Sequence, residues 1–165
     1  MSSTRGIILV HSAPAALRPH IEWAVGAVFG APVELHWSPQ PAEPRSLRGE
    51  LTWHGRIGTG AQLASALRGC ARARFEVTED ASAGQEGMRW AYTPRLGIFA
   101  ASIGVHGDIM VHEDRLKQAI LADALGRQPL AEGVAELLGA RWDAELEAFR
   151  QAGDGAPVRW LHQVG

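Results

Sequence analysis

One cysteine, one lysine and one tyrosine stand among the 165 residues, and neither a long apolar run nor a surplus of one charge is present. With Cys70 alone no internal disulfide can close. The fold must therefore rest on its own core, which a chain of this length can build without metals or cross-links. No apolar stretch nears the roughly 20 residues that span a bilayer. The run Gly6 to Val10 is cut short by His11, too soon for a secretory signal. Sixteen Lys and Arg face 18 Asp and Glu, a net charge of -2, and such a balance cannot supply the broad positive field of non-specific nucleic-acid or anionic-membrane binding. These absences predict a cytoplasmic protein folded as one domain over residues 1–165, with neither nucleic acid nor a membrane as partner.

What is present is arginine, alanine and tryptophan. Every basic residue but Lys117 is Arg, and Ala is abundant, a pairing that reads as coding bias and carries no functional weight. The six Trp can each bury ~150–250 Å² and are expected mostly in the core.

Gly6 to His11 is a continuous apolar run with β-branched residues, the pattern of a central strand buried on both faces. Ile21, Ala24, Val25 and Val28 recur at helical spacing between Pro19 and Gly30, which predicts a first helix. Val33, Leu35 and Trp37, then Leu47, Gly49, Leu51 and Trp53, alternate with polar residues as two half-buried strands. Thr59 and Gln62 have the form of a capping box for a second helix ending at Gly69, and Phe75 and Val77 mark a further strand. The class expected is α+β, with a ferredoxin-like βαββαβ first half: an antiparallel sheet with both helices on one face. The loop from 80 to 87 is the one candidate for a subdomain boundary.

Beyond it, strands are expected around Met88 to Tyr92, Gly97 to Ile103 and Ile109 to Val111. Two C-terminal helices follow. One runs from Glu113 to Leu125; the other carries an apolar stripe from Leu130 through Trp142 to Phe149, read as a single helix with a break at Gly139 as the alternative. Val158, Trp160, His162 and Val164 alternate as a final strand.

Each candidate for chemistry has a plainer account beside it. His106, Asp108 and His112 could ligate a metal, but the spacing matches no standard site, and Gly107-Asp108 suits a turn while Glu113 and Asp114 suit a helix's first turn. Gly58-Thr-Gly60 resembles a dinucleotide-binding turn, yet Leu63 occupies the place of its third small residue. Cys70 follows the end of a helix, where the negative pole disfavours a thiolate. His11 and Ser12 lie at the mouth of the central strand, where the amides of the next turn could cradle an anion; the alternative is Ser12 capping a turn before Pro14. By parity the sheet's open face displays Glu34, His36, Arg48, Glu50, Thr52, His54, Glu76 and Thr78. Because the first strand is apolar on both sides, the C-terminal half or a second subunit should cover part of that face and leave a groove.

Val10-His-Ser-Ala-Pro14, Trp37-Ser-Pro-Gln-Pro41, Phe75-Glu-Val-Thr-Glu79, Gly107-Asp-Ile-Met-Val111 with Glu113-Asp-Arg-Leu116, and Asp154-Gly-Ala-Pro-Val-Arg-Trp-Leu-His162 together resemble an actinobacterial family of unknown function, domain of unknown function 3145. The resemblance spans essentially the whole chain and brings no activity or catalytic residues. It implies a bacterial cytosolic protein and associates the chain with fatty-acid synthesis proteins.

The function expected is a non-catalytic module binding a small molecule or a protein, with no cofactor and with His11, Ser12, His36 and His54 as ligand-binding residues. The alternative is a small enzyme, metal-assisted through His106, Asp108 and His112 or working through His11 and Ser12. Convergence of His11, His36 or His54 with the His106 to Asp114 cluster would favour the enzyme.

Overall fold

The computed structural model describes residues 2–152. In chain order the elements are β1 (Ser3–Pro14), α1 (Arg18–Phe29), β2 (His36–Pro39), β3 (Ser46–Arg56), α2 (Thr59–Arg68), β4 (Arg74–Glu79), β5 (Gly87–Thr93), β6 (Gly97–Ile103), β7 (Ile109–Met110), α3 (Glu113–Ala124), α4 (Leu130–Leu137) and α5 (Ala140–Gln151). The fold is α+β, and the first six elements run strand, helix, strand, strand, helix, strand as the hydrophobic periods require. All seven strands join one antiparallel sheet in the order β2-β3-β1-β4-β5-β6-β7. The sheet continues across the 80–86 connection, because β4 and β5 pair from Phe75↔Tyr92 to Glu79↔Met88.

β1 lies between β3 and β4 and is buried along most of its length. Its two sides meet different surroundings. One side joins the apolar core of Ile8, Val10, Phe75, Val77 and Tyr92, closed by Ile21 and Val25 of α1 and Leu63 and Leu67 of α2. The other side, which carries Leu9, His11, Glu76 and Arg89, is crossed at one end by α5 through the fully buried Leu146. Half of the expectation about the open face is thus met, since α5 supplies the cover.

Several local expectations are corrected. The strand read from Val33 pairs only from His36 onward, although Leu35 still packs in the core. The Thr59–Gln62 capping box does not form. The Glu79 carboxylate accepts hydrogen bonds from the backbone N–H groups of Gly58 and Gly60, both at 2.8 Å, and so caps α2 from a neighbouring strand. The long C-terminal helix breaks at Gly139, whose φ of 72° is left-handed and whose missing Cβ would lie 2.7 Å from the Phe99 ring; both the turn and the close packing demand glycine. Trp53 is core and Trp37, Trp90 and Trp142 are half-buried, but Trp23 is 77% exposed. The expected strand at Val158 to Val164 lies outside the described residues. Among those described, no helix is long and apolar enough to cross a membrane.

Candidate functional site

The sheet's second side is divided in two by α5. Under the helix sits a buried charge network. Glu76, 1% exposed, accepts hydrogen bonds from His11 Nε2 at 2.6 Å, Arg89 Nη2 at 2.6 Å and Arg150 Nη2 at 2.6 Å. The same two guanidiniums also donate to Asp143 Oδ1, at 2.7 and 3.0 Å. Two carboxylates and two guanidiniums therefore interlock between β4, β5 and α5. Burial pushes the Glu76 carboxyl up, but the His11 hydrogen bond and the charges of His11, Arg89 and Arg150 outweigh it and hold the group well below the usual carboxylate range. Arg150 is likewise held charged: burial pulls its pKa down, and Glu76 and Asp143 more than restore it.

A bulge between Val10 and Ala13 shapes this end of β1. Bulges re-aim side chains, and here both His11 and Ser12 reach the network side. Ser12, fully buried, accepts a hydrogen bond from Arg74 Nη1 at 3.0 Å, while the Arg74 guanidinium lies 4.5 Å over the Phe149 ring of α5. Gln40 Nε2 donates to the carbonyls of His11 at 2.6 Å and Phe149 at 3.3 Å. The expectation of His11 and Ser12 as an accessible anion cradle is therefore corrected. His11 Nε2, the His11 carbonyl and Ser12 Oγ are engaged in the contacts that fasten α5 onto the sheet, and both residues are buried.

At the other end the second side stays open. A groove of about 690 Å³ runs over the start of β1 and the ends of β3 and β4, walled by the turn between β6 and β7. Ile7 and Ile103 contribute apolar surface; Arg5, His54, Thr78, Asp80 and His106 are polar residues around it. The turn is fixed by Gly104 N–H donating to the Asp108 carbonyl and Gly107 N–H to the Gly104 carbonyl, each at 2.9 Å. Arg5 Nε donates to Asp80 Oδ2 at 3.0 Å, which leaves its two terminal nitrogens without a partner among the described residues. Thr78 Oγ1 accepts the Ile7 N–H at 3.2 Å.

The structure thus brings together His54 and His106, one from each half of the chain, and separates the remainder. His36 is exposed on the edge strand β2. Asp108 and His112 do not line the groove. His112 is the N-cap of α3, 3.9 Å from Glu86, and among the described residues no group of three or more His, Cys, Asp and Glu could hold a metal ion. The metal set is corrected on that ground: a tight hairpin puts His106 at its tip and carries the chain away before His112. Glu113 and Asp114 occupy the first turn of α3, as their helix-dipole reading requires. The dinucleotide reading of Gly58-Thr-Gly60 is overturned because Glu79 already supplies an anion to those amides. Burial pushes the Cys70 thiol up, the direction of an unreactive cysteine.

Sequence reasoning missed Arg5, Arg89, Asp143 and Arg150. A signal existed for three of them. Arg89 alternates with the core-facing Trp90 and Tyr92, which places it on the sheet's second side, and Asp143 and Arg150 stand three before and four after Leu146, which places them on the buried stripe of α5.

Searches of curated proteins and of solved structures found no match. A family described as "Protein of unknown function (DUF3145)" matches residues 7–163, nearly the whole chain, and the chain belongs to that family.

Proposed function

We propose that the protein is a cytoplasmic, non-catalytic binding module whose open groove takes a small anionic molecule, a carboxylate or a phosphate ester. One observation carries this reading: His54 and His106, distant in sequence, face one groove together with Arg5. Two imidazoles and a guanidinium whose terminal nitrogens have no partner among the described residues offer donors to an anion. Ile7 and Ile103 accept an apolar body beside it. Thr78 and Thr4 are engaged with the Ile7 amide and the Asp80 carbonyl, and among the described residues no hydroxyl is hydrogen-bonded to either histidine, so the groove holds no activated nucleophile.

The same meeting of histidines supports a second reading, acid–base catalysis by His54 and His106. Binding is preferred because both imidazoles are exposed and, among the described residues, no carboxylate is paired with either one.

Thermal unfolding of the full chain with inorganic phosphate or citrate, against chloride at equal ionic strength, tests the proposal. The expected result is a rise in Tm, amounting to about 2.7 kcal/mol at a hundred times Kd, that is lost in Arg5→Ala and in His54→Ala with His106→Ala. No rise with either anion, or a rise that survives all these substitutions, overturns it.

A further inference from the structure

Helix α3 is turned inside out. The side facing the rest of the chain presents Arg115, Gln118, Ala119 and Ala122 to a cavity of about 560 Å³ against β6 and α4. Its large apolar side chains point the other way: Ile120 is 56% exposed, Leu121 57% and Leu125 54%, with Leu116 also exposed. No residue of α3 is buried. Nine large apolar side chains are exposed among the described residues, and seven fall between Met110 and Leu138, so the exposure is local to this helix hairpin. A surface helix normally buries its large apolar stripe against its own core, and a 12-residue helix has little stability without such packing. The arrangement describes a helix whose apolar side belongs to an interface.

The order of residues names the occupant. About a point midway between Ile120 and Leu121 the apolar residues are symmetric: Ile120 mirrors Leu121, Ala119 mirrors Ala122 and Leu116 mirrors Leu125, and farther out acidic Asp114 stands opposite basic Arg127 in charge. Laid antiparallel on itself across a two-fold axis at that point, the helix sets each leucine toward its counterpart and each Asp114 toward the end of the second copy's helix, just past which Arg127 stands. It also opposes the two helix dipoles, each negative end meeting a positive one. Asp114 and the Arg127 side chain have no ion-pair partner among the described residues. Self-complementarity of this kind is what an isologous two-fold contact requires, and a partner of another sequence would not call for it.

We propose that α3 is the centre of a two-fold symmetric interface with a second copy of this chain. The groove at Arg5, His54 and His106 lies outside this surface, so the two proposals stand or fall separately.

Sedimentation velocity on the full chain, from micromolar to submillimolar concentration, tests it. A species of twice the 17.7 kDa chain mass is expected. Ile120→Glu with Leu121→Glu should raise the dimer Kd roughly 30-fold or more, as loss of central apolar contacts does. Arg127→Glu alone should weaken it several-fold, and Asp114→Arg added to Arg127→Glu should restore it, which a merely misfolded variant could not do. His54→Ala should leave the mass unchanged. A wild-type chain monomeric throughout, binding vesicles or only a different protein through this face, overturns the proposal; so does a dimer indifferent to these substitutions.

Discussion

The two ends of the sheet's second side are built from the same kind of material and put to opposite uses. Under α5, charged groups are buried and paired: Glu76 receives three donors, and Arg89 and Arg150 also donate to Asp143. Over the start of β1, charged groups stay exposed, and the Arg5 terminal nitrogens have no partner among the described residues. Where a helix excludes water, a charged group must find an opposite partner in the protein, because an unpaired buried charge costs several kcal/mol. Where no helix lies, water satisfies the same atoms, and a ligand can displace it. The difference between a structural clip and a candidate site is thus the cover, since the residue types are alike.

That contrast can be broken first at its buried end. Glu76→Gln removes from two buried guanidiniums the carboxylate they share inside the sheet, with Asp143 still bonded to both, and should cost about 3–5 kcal/mol, read by urea unfolding at neutral pH. A loss below about 1 kcal/mol would put the network on a level with surface pairs. The acid limb sharpens the point. Because the native Glu76 carboxyl is held below its unfolded value near 4.3, its contribution is complete above that value and disappears as pH falls toward the native one. Wild-type stability should therefore decline below about pH 5, and Glu76→Gln should be flatter across that window.

The apolar side of the sheet provides the control. Leu63→Ala, at a fully buried position, should cost about 2–5 kcal/mol by cavity formation, and the cost should not depend on pH. Gly139→Ala comes next: a left-handed φ and contact with Phe99 predict a loss of about 1–3 kcal/mol, measured by thermal unfolding. The smallest effect belongs to the open end. His54→Ala should change stability by no more than about 0.5 kcal/mol, while removing much of the Tm rise given by phosphate. A large loss of stability there would mean that the groove is part of the scaffold.

Much of the architecture was legible because it rests on period and punctuation. Strand β1 announced its burial on both sides through an unbroken apolar run, and α1 its end through Gly30, which takes the left-handed conformation there. The break at Gly139 was visible only as an alternative. The helical stripe continues through it, and what decides for a break is the ring of Phe99, a residue forty positions earlier. The capping of α2 was misread for a related reason. Thr59 and Gln62 satisfy a local rule, but the buried Glu79 carboxylate from β4 reaches the same amides.

The candidate site divides in the same way. Parity placed His54 and Thr78 on the sheet's second side, and both line the groove. Nothing in the spacing could bring His106 beside them, or turn His11 and Ser12 inward at a bulge.

By itself, then, the sequence determined the α+β class, the run of elements as far as α3, and the absence of a disulfide, since each depends on neighbouring residues or on composition. The tertiary structure alone decided which polar residues are paired under α5 and which stay exposed around the groove, and that the large side chains of α3 are exposed. Burial is a property of what lies across a face, and what lies across is set by contacts between residues far apart in sequence.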